Sequence, residues 1–262
     1  MRPEESVPFR ASGFSPRNRP WAGAATLLLL ILAWQLGSSS GLIPDLFLPS
    51  PMAVARALSQ LARSGELWKD LSASLLRLAA GWALGTALGV SVGFAVGMFT
   101  LLRSPLIALV SALFPIPKIA LVPLFIIWFG IGEGSKIATL AIGVFFPTVI
   151  NTYAGVDNVQ RNLILMGQSF NLSSWSIIRK IVLPGALPSV LAGLRITISV
   201  AIILLIAAEM IGADSGIGAF ILAAGNLYRT DNLIAGVVVL SLIGLSLSAI
   251  LTRIERAAFA WR

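Results

Sequence analysis

Few side chains in this 262-residue chain are of types that perform chemistry. It contains no histidine and no cysteine. That removes the commonest general base, the commonest metal ligand, every disulfide and every thiolate site. No nucleophile stands beside a base, no carboxylates pair and no metal-ligating set is visible, so no catalytic residue is assigned and no metal site. The acidic residues lie almost entirely between apolar runs; Glu209, in "AAEMIGADSGIG", is the one that falls within such a run. Lys118, in "FPIPKIALVP", is an isolated cation in a similar setting. The stretch "WFGIGEGSK", Trp128 to Lys136, looks like a phosphate loop at first sight. A phosphate loop needs Gly-x-x-x-x-Gly-Lys-Ser/Thr between a strand and a helix. Here Ser135 separates Gly134 from Lys136 and Ile137 follows, so three glycines in a tight turn account for it. No other nucleotide motif is present, and ion-driven transport usually places carboxylates or histidines deep in the membrane. The residues therefore describe a path without an engine.

What must hold these residues is a bilayer-embedded scaffold. The chain is 57% hydrophobic, 11% charged and has a mean hydropathy of +0.91. Soluble domains carry about 25% charged residues. The net charge of +8 does not indicate nucleic acid, because the basic residues are scattered between apolar runs and form no single face. Basic loops beside a membrane explain them.

Six segments have the roughly 20 apolar residues that a membrane helix needs. They are Trp21–Ser38, Leu75–Leu102, Pro105–Phe129, Ser135–Tyr153, Ser189–Ile211 and Leu233–Leu251. With the N-terminus inside, the inner segments hold Arg2, Arg10, Arg17, Arg19, Arg103, Arg161, Arg179, Lys180, Arg253, Arg256 and Arg262. The outer segments hold Arg56, Arg63, Lys69, Arg77, Lys136 and Arg229. This bias places both termini in the cytoplasm. The expected organisation is a cytoplasmic tail over 1–20, one transmembrane domain over 21–252 with a cytoplasmic loop at 154–187, and a second tail over 253–262. The first span has the basic start and short apolar core of a signal peptide, but only "GSSSG" follows it, so it is expected to remain. In the first outer loop Ser50 can cap a helix, Pro51 fits its first position and Gly65 can end it. That helix is amphipathic and lies on the membrane surface or against the bundle.

Within the spans, Gly81, Gly85, Gly89, Gly93 and Gly97 recur every four residues and form one stripe. Small residues let helix backbones approach closely in lipid, so the stripe meets another helix, of this chain or of a second copy. In the third span Pro115, Pro117 and Pro123 each remove a backbone donor. Broken helices at membrane depth occur where they face protein or a water-filled path, and are common at transport sites. Pro115, Pro117 and Lys118 are thus candidates for a translocation path. Lys118 either lines the route of an anionic solute or reaches a carbonyl freed by the prolines. Glu209, near the outer end of the fifth span, either gates the outer mouth or pairs with a neighbour such as Lys118 or Arg229. Arg195, near the inner end, is expected to reach the headgroups.

The cytoplasmic loop "AGVDNVQRNLILMGQSFNLSSWSIIRKIVLPGALP" is too polar to span and too patterned to be a linker. Asp157 or Asn158 can cap a helix over Val159–Phe170, with Leu163, Met166 and Phe170 on one face. Asn171 tolerates the left-handed conformation of a helix stop. Ser173 can cap a short helix through Ile181, after which Pro184 and Pro188 turn the chain back into the bilayer. Here a resemblance becomes specific. The loop resembles the EAA loop of ABC importer permeases, whose pattern is Glu-Ala-Ala, three residues, Gly, nine residues, Ile-x-Leu-Pro. Ile181, Leu183 and Pro184 match, Asn171 takes the glycine position, and Leu165, Met166 and Gly167 take the Glu-Ala-Ala positions. The flanking "WFGIGEGSK", "FFPTVINTYAGV", "LPGALPSVLAGLR" and "AAEMIGADSGIG" resemble the nitrate/sulfonate/taurine branch of that family, and the likeness runs from about Leu46 to the end.

That resemblance implies an all-α polytopic membrane protein of the type I ABC importer permease fold, with six transmembrane helices and a cytoplasmic coupling helix-turn-helix. It implies a homodimer in a bacterial inner membrane, two cytoplasmic ATPase subunits that carry the ATP and Mg, and a periplasmic or lipid-anchored solute-binding protein. No cofactor belongs to this chain. The solutes it implies are small anions such as an aliphatic sulfonate, taurine or nitrate; the branch also imports bicarbonate and thiamine-precursor pyrimidines. Leu163, Leu165, Met166, Gly167, Phe170, Asn171, Leu172 and Trp175 would contact the ATPase. Leu165 in place of the family's Glu removes a carboxylate and leaves a more apolar contact. The rival classes are an ion-coupled carrier acting alone and a structural or sensory subunit that uses the same docking loop.

Overall fold

In the computed structural model, described over residues 20–41 and 43–258, the described residues form helices joined by short loops. The tails singled out above lie largely outside the described residues. Among the described residues five helices are long and apolar enough to cross a membrane, and a sixth crossing is made if the bent pair Thr100–Leu113 and Lys118–Phe129 is one span. The order is α1 (Pro20–Ser39), α2 (Pro51–Ser64), α3 (Glu66–Met98), α4 (Thr100–Leu113), α5 (Val122–Phe129) and α6 (Glu133–Asp157). There follow α7 (Arg161–Ser169), α8 (Ser174–Ile177), α9 (Leu183–Gly212), α10 (Ile217–Asn226) and α11 (Thr230–Ala258).

α1 is apolar all round and stands at the edge of the bundle; it is tied to α2 by Trp34, whose Nε1 donates to the Pro49 carbonyl at 3.0 Å. α2 starts where Ser50 accepts from the Ala53 amide and stops at Gly65, whose φ is 86°. Its apolar face, Val54, Ala57 and Leu61, packs on Ala235 of α11, so this helix lies against the bundle and not on the membrane surface.

The centre is a three-helix spine of α3, α6 and α9. Leu78, Leu140, Val144, Ala201, Leu204 and Leu205 bring these helices into one buried cluster. The glycine stripe of α3 lies on α6 of the same chain. A Cβ added at Gly81 would fall 2.5 Å from the Leu140 Cβ; at Gly89, 2.6 Å from that of Thr148; at Gly93, 2.5 Å from that of Thr152; at Gly97, 2.7 Å from that of Val156. No real side chain tolerates such distances, so only glycine permits this approach. α9 closes on the other face of α6, where a Cβ at Gly193 would fall 2.5 Å from that of Asn151.

Three sequence expectations are corrected. α3 begins at Glu66, not Leu75, because its polar first turns are helical too; Arg77, counted among the outer cations although it falls within the expected span, is buried in α3. It also ends at Met98 rather than Leu102, with Phe99 extended between α3 and α4. Asp157 and Asn158 do not cap the cytoplasmic helix: α6 continues through Asp157, and α7 opens after Gln160 with no side-chain cap. Pro184 and Pro188 do not turn the chain. A π-helical turn over Ile178–Val182 carries α8 into α9 as one 39-residue helix, Ser174–Gly212. Pro184 closely follows that π turn, where the change of hydrogen-bond spacing accommodates a residue without a donor.

Candidate functional site

At the outer end, α3 carries a polar continuation of its glycine stripe. Asp70, Ser74, Arg77 and Gly81 are spaced four, three and four residues apart, so they share one helix face. This face reads the α9–α10 loop. The Asp70 carboxylate accepts from the Gly216 amide at 2.9 Å, and the Ser74 hydroxyl accepts from the Ile217 amide at 2.9 Å. Ser74 donates to Glu209 at 2.8 Å, and the Gly218 amide donates to the other Glu209 oxygen at 2.8 Å. Arg77 closes the network. Its Nη1 donates to Glu209 at 2.8 Å and to the Ser215 carbonyl at 2.6 Å; its Nε and Nη2 grip Glu133, the first residue of α6, at 2.6 and 2.7 Å. Arg77 and Glu209 are 2% and 1% exposed. Glu209 thus pairs with Arg77, and neither with Lys118 nor with Arg229. The left-handed Gly216, φ 122°, leaves no room for a side chain, since an added Cβ would meet Arg77 Nη1 at 2.7 Å. A carboxylate is bearable at this depth because every oxygen has a donor. The network ties α3, α6, α9 and the outer loop into one block.

Midway through the bundle, the third crossing breaks. α4 and the segment Lys118–Phe129 meet at 87°. Pro115 and Pro117 supply no amide protons, so the last carbonyls of α4 have no helical partner. Lys118 turns back onto them, donating to the carbonyls of Leu113 at 3.0 Å, Phe114 at 2.6 Å and Ile116 at 2.7 Å. Its charge also lies 4.9 Å from the Phe146 ring centre. All three ammonium protons are used, and the cation sits at the negative end of α4. Phe114, Pro115, Ile116 and Pro117 are themselves exposed on the surface of the subunit.

On the inner side, α7 and α8 form the helix-turn-helix. Asn171 has φ 54° and ends α7: its amide donates to Gln168 O at 2.9 Å, and the Leu172 amide donates to Gly167 O at 3.0 Å. Gly167 is buried, because a Cβ there would sit 3.0 Å from Ile181 Cδ1, so α7 rests directly on the helix that becomes α9. Ser173 accepts from the Ser176 amide and caps α8. Leu163, Leu165, Met166, Leu172, Phe170 and Trp175 remain exposed, the last two at 74% and 67%. This apolar patch rises from a stretch too polar to lie in lipid. Two ion pairs brace the same side: Arg103 with Asp157, joining α4 to α6, and Arg195 with Glu255, joining α9 to α11. Arg195 thus has a protein partner instead of a headgroup.

Sequence reasoning missed Arg77, Ser74, Asp70 and Glu133. The signal was the spacing of Asp70, Ser74 and Arg77 in register with Gly81, which continues one stripe beyond the apolar window.

Residues 73–259 match the family described as the binding-protein-dependent transport system inner membrane component. The chain is 39% identical over 232 residues to the putative aliphatic sulfonates transport permease protein SsuC of Escherichia coli (strain K12), covering 88% of each chain. It is 36% identical over 241 residues to the taurine transport system permease protein TauC of the same strain, covering 90% of this chain and 88% of that one. In fold it is similar to a chain of the MetNI methionine ABC transporter in an inward-facing conformation, with a TM-score of 0.62, 21% identity, and coverage of 80% of this chain and 98% of that one.

Proposed function

Because the chain belongs to the binding-protein-dependent transport system inner membrane component family, we propose that two copies of it form the path by which an ABC importer carries a small organic anion, of the aliphatic sulfonate or taurine class, across the inner membrane. The chain itself is a permease subunit without ATPase machinery; hydrolysis falls to partner subunits. The observation that carries the reading is the exposed break at Phe114–Pro117. Irregular backbone cannot face lipid, because its polar groups would find no partner there. It must face water or protein, and a second copy set against this side would enclose a wet route at mid-depth. Lys118, Pro115 and Pro117 border that route, with the lysine holding positive charge at the mouth of the bend. Glu209 acts behind the route, as part of the outer block. Leu163, Leu165, Met166, Phe170, Asn171, Leu172 and Trp175 form the inner contact with the ATPase, while Gly167, buried against Ile181, seats α7 beneath it.

The solute class rests on the relatives named for sulfonates and taurine, and on the cation at the break. The test is reconstitution of the permease with a candidate ATPase and a candidate solute-binding protein from the same organism. ATP-dependent accumulation of taurine or an alkanesulfonate in proteoliposomes is expected. Uptake driven by a proton or sodium gradient without ATP would instead make the chain a carrier acting alone, and a stable complex with no flux would make it a structural subunit.

A further inference from the structure

The long inner helix changes its pitch once, directly beneath the docking turn. The Leu183 amide donates to the Ile178 carbonyl, five residues back, where α spacing would give it Arg179. Upstream the ladder is regular, and the Ile178 amide reaches Ser174 O four residues back. The next residue after Leu183 is Pro184, which has no amide to offer to Lys180 or Arg179, its partners at α and π spacing. One helical bond that would fix the spacing of this turn is therefore missing. Passing the Leu183 amide from Ile178 to Arg179 exchanges one bond for one and strands no donor. Arg179 and Lys180 are exposed, so no packed neighbour within the subunit holds that side of the turn.

Residues 159–169, which carry α7, straddle this turn. At their start Val159 packs on Gly185, beyond the turn, where an added Cβ would meet Val159 Cγ2 at 3.0 Å. Toward their end Gly167 rests on Ile177 and Ile181, before and within the turn, where an added Cβ would meet their side chains at 3.4 and 3.0 Å. Between the two supports lies a cavity of about 380 Å³, walled by Gly97, Val156, Val159, Ile164, Ile178 and Val182. The two ends of the docking helix thus stand on opposite sides of the change of pitch, above a cavity.

We propose that the π turn at Ile178–Val182 is the joint on which α7 and α8 move relative to α9 when an ATPase acts on them. The inference rests on the importer reading above and adds to it the place where the inner contact yields. A slip of one residue advances a helix by about 1.5 Å and turns it by about 100°. Confined to this turn, it shifts Ile177 and Ile181 beneath Gly167, so that α7 tips about its support at Gly185 and into the cavity. Beyond Pro184, α9 keeps its register, and with it the network at Glu209. The π turn is the single departure from α spacing between Ser174 and Gly212, so a slip belongs there and nowhere else in the long helix.

The experiment uses the permease assembled in nanodiscs with the ATPase that co-purifies with it. Because the chain has no cysteine, Ser169→Cys on α7 and Leu187→Cys on α9, both exposed, take spin labels at those two positions alone. In complexes where one copy carries both labels, their separation should change by about 3 Å or more between the nucleotide-free and the ATP–vanadate-trapped states. Deleting Arg179 removes the extra residue. Leu183 then follows Ile178 by four, so the existing bond becomes an α-helical one, and Ile177 and Ile181 stay on one face. This variant should bind the ATPase within about twofold of the wild type and hold its label separation fixed, while ATP-dependent uptake of taurine or an alkanesulfonate in proteoliposomes with the solute-binding protein falls by about tenfold or more. Pro184→Ala tests the same joint at full chain length: its new amide ties the turn into the ladder, and uptake should fall about threefold or more. A wild type whose labels keep one separation in both states would overturn the proposal, and so would either variant taking up solute at the wild-type rate. Labels that move in a wild type that accumulates no solute would instead overturn the importer reading and leave the joint standing.

Discussion

Arg77 and Glu209 should respond unequally to removal, and the inequality follows from their partners. Arg77→Met leaves the Glu209 carboxylate with a side chain 0% exposed and no cation. Leaving one member of a buried pair uncompensated costs about 3–5 kcal/mol. Glu209→Met is milder. Arg77 keeps its two bonds to Glu133, at 2.6 and 2.7 Å, and its bond to Ser215 O. What is stranded is the Gly218 amide and the Ser74 hydroxyl proton, a loss of about 1–3 kcal/mol. In the double variant the carboxylate goes with its cation, and the freed Glu133, whose side chain is 51% exposed, finds water. The double variant should therefore be more stable than Arg77→Met alone, by about 2 kcal/mol. For a chain of this size, each kcal/mol moves the melting temperature by roughly 2–4 °C. Thermal unfolding of the detergent-solubilised complex, followed for the wild type, both single variants and the double, reads the cycle directly. A double variant that loses the sum of the two single losses would refute the argument, because it would mean that the charges do not depend on each other.

Three further outcomes are expected. Gly85→Ala drives a Cβ into the Ala141 carbonyl and to 2.9 Å from the Val144 Cβ, where the atoms met are backbone and branched side chain, so α3 and α6 must part; overpacking of this kind costs about 1–3 kcal/mol or more, and should appear as a fall in the yield of folded permease after solubilisation. Leu165→Glu restores the acid typical of the loop at an exposed position, so the fold should be kept, while affinity for the chain's own ATPase falls by about tenfold in pull-down titrations as a charge enters an apolar contact. Lys118→Gln keeps a donor for one of the three carbonyls and loses the charge; the permease should assemble, and flux of an anionic solute should drop about tenfold in proteoliposomes, one unit of 1.4 kcal/mol in transition-state terms.

The crossings, the helix stop at Asn171 and the caps at Ser50 and Ser173 were legible because each depends on residues within a few positions. Glycine spacing declared a close contact, but only the fold shows that α6 receives it. Asp70 and Ser74 were missed for an instructive reason. Hydropathy begins the second span at Leu75, whereas the helix begins nine residues earlier, because Glu66–Ser74 is polar in composition and helical in geometry, so the face that Arg77 shares with them was not visible. Glu209 finds its cation 132 residues away in sequence, and nothing local to either residue announces the other. Pro184 misled for the opposite reason. Proline usually marks a helix boundary, but a π turn just before it accommodates the missing amide donor, and the helix continues to Gly212.

These misreadings all fall where one rigid unit joins distant parts. The 39-residue helix Ser174–Gly212 starts in the inner docking turn and ends three residues beyond Glu209, so one continuous helix links Ile177, and Gly167 packed beside it, to the outer network. α6 makes the same connection in parallel, from Glu133 in the network to Asp157 at the Arg103 brace. α3 is locked to α6 by glycines that allow no gap, and to α9 by Leu78 and by the Trp82 indole, which donates to Thr197. Helices that meet backbone on backbone favour movement of the block as a body over bending within it. The part that differs is the third crossing, where the helix is broken at 87° and held by a lysine and three carbonyls rather than by a continuous ladder. If two such blocks rock against each other when ATPases close beneath them, the strain must collect at this break, and the residues that border the route are the ones placed to yield.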